Sequence, residues 1–409
     1  MRKKAKIFAF VVLSIMAISG LMASLFYQSN RVVIKAPFPN PFMFEDGTIV
    51  ETSADWDMRR EEIKELLMSI EYGHMPSRPD ALEVYLKTSE PRGDGSLHQI
   101  LEFKVIPSNN SASEYFNFTL DLYIPPGTGP FPAIIKVSPD GTGTQIENNQ
   151  TITSKGFIYA CYHHEDLDPD RASGGNDVIG AAQAAYPSCD WGSLMVWAWG
   201  GMRVADYLLQ EVWASSDCGF PSIDPSSLII TGHSRRGKTA LVAGAFDERF
   251  SMVACNGGCA GGAASYLVLG PGAETLGSIT KKDNYFYWFH QDFGEYANRE
   301  HDLPFDQHFL RALVAPRIMM TTDGSDDSWA NPIGVQAVYE ASQPVFDFLD
   351  APENNTIHYR SGGHGFLKED FNTILGFADK ILLGNASVIG EFYMTPYDID
   401  FPIEYSSPV

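Results

Sequence analysis

The chain has 409 residues, 44% of them hydrophobic and 20% charged, which suits one large α/β domain or two ordinary ones and excludes a disordered protein. Its formal net charge of −22 excludes a nucleic-acid binder built on a basic face, because a phosphate backbone calls for clustered Lys and Arg. That charge identifies no ligand, since it reports mainly on solubility and long-range steering.

The N-terminus reads as an export segment. Arg2, Lys3, Lys4 and Lys6 precede an apolar run over residues 7–26, interrupted by Ser14, Ser19, Gly20 and Ser24. A basic start before an apolar stretch is the pattern of a secretory signal, and the run is also nearly long enough to span a bilayer as an uncleaved anchor. Residues 1–30 are therefore expected to be a signal peptide or an N-terminal anchor, and the protein to be secreted or extracytoplasmic. Residues 36–42, with Pro37, Pro39 and Pro41, form an extended lead-in. Asp55 is expected to cap a helix whose apolar stripe is Ile63, Leu66, Leu67 and Ile70, with Gly73 ending it.

Strand-like runs follow at 82–86, 100–106, 116–124 and 133–137, separated by turn clusters such as Asp94-Gly95 and Pro125-Pro126-Gly127. Strands then alternate with helices. A strand at 157–161 is followed by a helix at 191–209, with Leu194, Trp197, Ala198, Gly201, Ala205 and Leu208 on one face. Next come a strand at 228–231, a helix running to Ala245, and strands at 252–255, 317–322 and 356–359. Such alternation predicts an α/β fold with a mainly parallel sheet and helices on both faces. Residues 37–390 are expected to be one catalytic domain and 391–409 a C-terminal tail.

Cys161, Cys189, Cys218, Cys255 and Cys259 make an odd count, so in an exported protein at least one thiol is free or bonded to another chain. Cys255 and Cys259 have no neighbouring His or carboxylate, so they read as buried small residues or as one disulfide. No metal and no cofactor are expected. Sequons begin at Asn109, Asn117, Asn149, Asn354 and Asn385, and are acceptors only in a eukaryotic secretory route.

The chemistry centres on Leu228-Ile229-Ile230-Thr231-Gly232-His233-Ser234-Arg235-Arg236-Gly237-Lys238. An apolar β-branched run, a turn with Ser234 at its apex and a helix make the nucleophile elbow of α/β-hydrolases, usually written G-x-S-x-G. A three-layer α/β-hydrolase sandwich is thus expected. Here the second glycine sits one place late, and Arg235, Arg236 and Lys238 crowd the serine.

A serine needs a base oriented by an acid, and in this fold class the chain order is serine, acid, histidine. His364 fits as the base, in the loop Ser361-Gly362-Gly363-His364-Gly365 after the last strand. His358 lies within that strand, and His308 precedes the strand before it. The acid belongs in Asp323-Gly324-Ser325-Asp326-Asp327-Ser328-Trp329. Asp327 is preferred, three residues after Gly324, with Asp326 and Asp323 as alternatives. The backbone N–H of Arg235 is placed for an oxyanion hole, where its guanidinium would add donors. Lys238, one turn on, would favour an electron-rich acyl group.

These residues resemble the G-x-S-R-x-G-K signature of glucuronoyl esterases, carbohydrate esterase family fifteen. Further segments are similar in order: Trp56 with Arg59-Arg60-Glu61-Glu62-Ile63, Asp190-Trp191-Gly192 with Trp197-Ala198-Trp199-Gly200, Gly261-Gly262-Ala263-Ala264, Trp288-Phe289, Leu303 to His308, and Trp329-Ala330-Asn331-Pro332. The resemblance spans about residues 37–385. It implies a secreted serine esterase that cleaves the ester between (4-O-methyl-)glucuronic acid of glucuronoxylan and lignin alcohols through an acyl-enzyme. It implies Ser234 as nucleophile, His364 as base, Arg235 as oxyanion contributor, and Lys238, Glu274 and Trp329 as holders of the sugar.

Two departures stand out. Many members carry a glutamate triad acid where Gly257 stands here, whereas some bacterial members use an aspartate two residues before the Trp, as Asp327 precedes Trp329. Fungal members bond cysteines where His233 and Gly365 stand, so the bacterial-type branch looks nearer. The expected partner is a polysaccharide ester and the expected state a monomer, with membrane contact only through an uncleaved leader. An esterase for acetyl or feruloyl groups, or a carbohydrate-binding homologue with a lapsed triad, are the competing readings.

Overall fold

In the computed structural model, which describes residues 31–108, 114–139, 146–170 and 179–408, ten strands form one sheet. Residues 1–30, expected to be the leader, and the sequon at Asn109 lie outside the described residues. The strands are β1 (Ala81–Pro91), β2 (Leu97–Ile106), β3 (Phe116–Ile124), β4 (Phe131–Ser138), β5 (Ile158–His163), β6 (Ala214–Ser216), β7 (Ile223–His233), β8 (Met252–Asn256), β9 (Ile318–Gly324) and β10 (Asn355–Arg360). Their order across the sheet is β10-β9-β8-β7-β4-β5-β3-β2-β1-β6. The run from β10 to β5 is parallel. β3, β2 and β1 add on antiparallel, and β6 runs parallel to β1.

Parallel strands covered on both faces read as unbroken apolar runs, as Ala133-Ile134-Ile135 and Leu228-Ile229-Ile230 do. Their period of two then divides the core. The main helices are α1 (Ser53–Leu67), α2 (Ser193–Leu208), α3 (Arg235–Phe246), α4 (Pro332–Phe348) and α5 (Lys368–Ile381). Ile134, Ile229, Met252 and Met320 pack with Phe371, Ile374 and Leu375 of α5. Ile135, Ile230, Val253 and Met319 face the opposite layer with α1, α2 and α3. This is the three-layer sandwich of an α/β-hydrolase.

Several local expectations are corrected. Thr52, not Asp55, is the cap of α1: Asp55 N–H donates to Thr52 Oγ1 at 3.2 Å and Thr52 N–H to Asp55 Oδ2 at 2.8 Å, a reciprocal capping box. α2 has no exposed face, since every residue from Ser193 to Leu208 is buried. A helix apolar nearly all round is an interior helix, and its Arg203 and Asp206 are ion-paired at 2.6 Å. β9 runs on to Gly324, so Asp323 belongs to the strand and not to the loop.

None of the five cysteines is disulfide-bonded, and three of them are buried. The C-terminal segment packs along β10: Ile357 N–H donates to Phe392 O and Met394 N–H to Ile357 O. Farther on, Phe38 N–H donates to Pro402 O and Tyr405 Oη to Ala341 O. The pairing of residues 392–394 with β10 covers a sheet edge which would otherwise expose unpaired backbone groups. Among the described residues no helix is long and apolar enough to cross a membrane, and no group of three His, Cys, Asp or Glu is placed to hold a metal.

Candidate active site

The parallel register aligns the C-terminal ends of four strands. His233 of β7 pairs with Asn256 of β8, Asn256 with Thr322 of β9, and Thr322 with His358 of β10. The chain leaves the sheet beyond these ends as Ser234, Gly257, the 325–331 loop and the 361–365 loop. Ligands of open α/β sheets bind on this side.

Ser234 has φ 60° and ψ −126°, a conformation that non-glycine residues rarely adopt, and it caps α3. The turn is held from both sides: Ser234 N–H donates to Asn256 O at 2.8 Å, and Lys238 N–H to Ser234 O at 3.0 Å. The shifted glycine has a steric reason. A Cβ at Gly232 would lie 2.1 Å from Arg236 O, and one at Gly237 would lie 2.7 Å from Asn256 O. The first turn of α3 therefore presses on both β7 and β8, and neither position admits a side chain.

His364 Nδ1 lies 2.5 Å from Asp327 Oδ2. Asp327 is 5% exposed, and its Oδ1 accepts the N–H of Ala330 at 3.2 Å. The other two aspartates face elsewhere. Asp326 is exposed and accepts the N–H of Gly362 at 3.0 Å. Asp323 is wholly buried, neither of its oxygens has a hydrogen-bond partner among the described residues, and burial drives its carboxyl well above the usual range. With the Nδ1 proton donated to Asp327, Nε2 of His364 is left as an acceptor. No hydrogen bond joins His364 to Ser234 Oγ among the described residues; in unliganded enzymes such bonds are often long and tighten with substrate.

The three cations around Ser234 are all engaged. Arg235 donates from Nη1 to Asp170 at 2.6 Å, and its guanidinium lies 5.1 Å and 5.0 Å from the ring centroids of Tyr285 and Trp288. Arg236 Nε donates to His164 Nε2 at 2.8 Å, and burial with the neighbouring guanidinia keeps His164 neutral. Lys238 is buried, donates to Ala260 O and pairs with Glu274 at 2.7 Å. Glu274 N–H donates to Trp329 O at 3.0 Å, and the Trp329 side chain stands out, 46% exposed. Lys238, Glu274 and Trp329 are thus linked in one chain of contacts beside the elbow.

A family model for fungal glucuronyl esterases matches residues 108–350, more than half of the chain. The chain belongs to the glucuronoyl esterase family. A 4-O-methyl-glucuronoyl methylesterase 1 from Wolfiporia cocos (strain MD-104) is 26% identical over 397 residues, covering 91% of this chain and 86% of the relative. A carbohydrate esterase from an unknown prokaryotic organism is 27% identical, with coverages of 88% and 93%. A solved glucuronoyl esterase of carbohydrate esterase family 15 from Caldicellulosiruptor kristjansonii superposes with a TM-score of 0.77 at 29% identity, covering 92% of this chain and 98% of that one. As a glucuronoyl esterase, this chain is a carboxylic ester hydrolase.

Within this glucuronoyl esterase, Gly257 lies flat against the histidine. Its φ is +56°, and a Cβ there would sit 3.2 Å from Cε1 of His364. The imidazole occupies the space a side chain would need, while its acid partner arrives from the next loop. His233 packs against His364 with ring centroids 4.5 Å apart and the planes tilted by 43°. Burial, then the neighbouring His364, lower the His233 pKa to about 4, so it donates neutrally from Nδ1 to Asn256 Oδ1 at 2.6 Å. Asn256 in turn donates to Thr322 O and Oγ1. The His233 ring beside His364 is therefore uncharged.

His308, set aside as a base, is buried far from this cluster, with Nε2 at 2.8 Å from Pro39 O and its pKa lowered by burial to about 3. Asp170, Tyr287 and Tyr285 escaped sequence reasoning. Tyr287 Oη donates to Asp170 at 2.7 Å, completing the cradle of Arg235. The aromatic run Tyr285-Phe286-Tyr287-Trp288-Phe289 was the available signal for two of them; Asp170 lies in no motif.

Proposed function

We propose that this enzyme hydrolyses the ester joining (4-O-methyl-)glucuronic acid of glucuronoxylan to lignin alcohols, through an acyl-enzyme on Ser234. The observation that carries the reading is the elbow serine flanked on one side by the His364–Asp327 pair and on the other by a buried Lys238–Glu274 pair tied to an exposed Trp329. Ser234 Oγ attacks the ester carbonyl and its proton passes to Nε2 of His364. Asp327 stabilises the imidazolium and holds its orientation. The C–O bond to the alcohol breaks, and the leaving oxygen takes the proton back from Nε2. Water then attacks the glucuronoyl-serine ester, yields its proton to Nε2, and releases glucuronate as Ser234 Oγ is reprotonated.

The negative charge on the carbonyl oxygen is met by the Arg235 backbone N–H at the start of α3 and by the Arg235 guanidinium. Asp170, Tyr285 and Trp288 support that role because they fix the guanidinium before substrate arrives. Lys238 and Glu274 hydrogen-bond sugar hydroxyls, and the Trp329 indole packs on the ring face. A lapsed triad loses its motive, since Gly257 leaves no gap that Asp327 does not fill. The basic-apolar leader supports action outside the cytoplasm.

The test compares benzyl glucuronate with acetylated and feruloylated sugars, using wild type and Ser234→Ala. Wild type should prefer the glucuronate ester by about 10²-fold or more in kcat/KM, as sites that read hydroxyls do, and Ser234→Ala should lose it. Equal rates on all three esters, or full activity in Ser234→Ala, would overturn the proposal.

A further inference from the structure

His364 sits in a segment with three glycines, Gly362, Gly363 and Gly365, which has unusual backbone freedom to lose. A catalytic imidazole on such a segment needs an external brace. Arg360, the last residue of β10, supplies contacts of that kind. Its buried guanidinium donates from Nη1 to Ser361 O at 3.0 Å, and from Nη2 to Gly363 O at 3.1 Å and Gly365 O at 2.6 Å. The last two carbonyls flank His364 in sequence. Nε donates to Asp370 Oδ2 at 2.8 Å, with side-chain exposures of 1% and 0% for the pair. Asp370 belongs to the first turn of α5 and also accepts the N–H of Leu367 at 2.7 Å.

The acid's loop grips the same segment from the other side. Ser325 N–H donates to Arg360 O at 2.8 Å and Asp326 N–H to Gly362 O at 3.1 Å, while Gly362 N–H returns to Asp326 Oδ2 at 3.0 Å. A buried ion pair contributes little to stability on balance, and apolar residues of similar volume would serve a core as well. What they would not do is hold three carbonyls of one loop at once, which takes the planar fork of an arginine and not the point charge of a lysine.

We propose that Arg360 is a positioning residue for ester hydrolysis: anchored by Asp370 and assisted by Asp326, it fixes the 361–365 loop so that His364 keeps its bond to Asp327 and its Nε2 stays available to Ser234. This rests on the assignment of His364 as the base. Asp327 and the His233 ring touch His364, the Arg360 guanidinium bonds the carbonyls on either side of it, and the clamp protects the Asp327 bond.

Arg360→Lys keeps a positive charge beside Asp370 and removes the fork; Asp326→Ala removes an exposed brace at little risk to folding. For each, kcat, KM and the pH profile of kcat/KM are measured with benzyl glucuronate. Folded Arg360→Lys should lose about 10- to 100-fold in kcat with KM within about twofold, the scale of a misplaced catalytic group. Its acid limb should move to lower pH, because a carboxylate held less closely favours the imidazolium less. Asp326→Ala should lose a few-fold in kcat in the same manner. Unchanged kcat in folded Arg360→Lys, or a fall in kcat with the acid limb unmoved, overturns the proposal. If Arg360→Lys does not fold, wild-type kcat in Asp326→Ala overturns it. His364→Ala, run alongside, separates the two claims: retained activity there removes the base itself, whereas its inactivity with a wild-type-like Arg360→Lys removes only the clamp.

Discussion

Replacing Asp327 by Asn changes one atom and should nearly silence the enzyme. Oδ1 of Asp327 is committed to the N–H of Ala330 at 3.2 Å, so an asparagine keeps its oxygen there and turns its NH2 toward His364. At the 2.5 Å approach now made by Oδ2, that NH2 demands an acceptor at Nδ1. The imidazole proton then moves to Nε2, which can no longer take the proton of Ser234. The same exchange in a serine triad of another fold lowers kcat about 10⁴-fold, or about 5.5 kcal/mol of activation free energy. KM should stay within about twofold, because Asp327 bonds the histidine and not Lys238 or Glu274. Initial rates on benzyl glucuronate, with the rate of Ser234 labelling by a fluorophosphonate and circular dichroism as a folding check, measure the effect. Asp326→Asn and Asp323→Asn are the controls, expected within a few-fold of wild type: Asp326 serves Gly362, and Asp323 is kept neutral by burial. A folded Asp327→Asn enzyme within about tenfold of wild type, or a loss that follows Asp326 instead, would refute the reasoning.

Lys238→Ala should destabilise the fold by about 3–5 kcal/mol in urea unfolding, because it leaves the Glu274 carboxylate buried without its partner. The double variant Lys238→Met, Glu274→Leu should recover most of that stability but not glucuronate binding, as read by titration calorimetry. Trp329→Ala, on an exposed side chain, should raise KM for glucuronate esters several-fold with kcat and Tm little changed. Glu71 is buried against Tyr266 and Gln307, and burial raises its pKa to about 7 from 4.5. Because the folded-state pKa is the higher one, its contribution is complete below pH 4.5 and is lost as pH rises through 7, about 3 kcal/mol in all. Urea unfolding at pH 5 and pH 8 should therefore show a smaller difference for Glu71→Gln than for wild type, and equal differences would contradict this.

The sheet and the elbow were legible because their signals are local. Apolar runs such as Leu228-Ile229-Ile230 read as strands of a covered sheet, and the structure adds that the neighbours Ile134 and Ile135 pack into opposite layers. The glycine-flanked His364 was legible from its place after the last strand. The carboxylate that meets His364 was only half legible. Three aspartates within five residues are equivalent in composition, and only the extension of β9 to Gly324 and the turn after it bury Asp323, aim Asp326 at Gly362 and bring Asp327 to His364. Asp170 and Asp370 were invisible because each acts on a residue distant or unremarkable in sequence, Arg235 and Arg360. The full burial of α2 escaped a one-face reading because Arg203 and Asp206 cancel each other inside the core.

If hydrolysis runs through an acyl-enzyme, Ser234 carries a glucuronoyl group between two half-reactions. Acid quenching of the enzyme during turnover of benzyl glucuronate, followed by intact-mass and peptide analysis, tests it directly. A fraction of the chain should be heavier by one glucuronoyl group, mapped to the peptide containing Ser234 and absent from Ser234→Ala. Turnover with no such adduct under conditions where deacylation limits the rate, or an adduct on another residue, would contradict it.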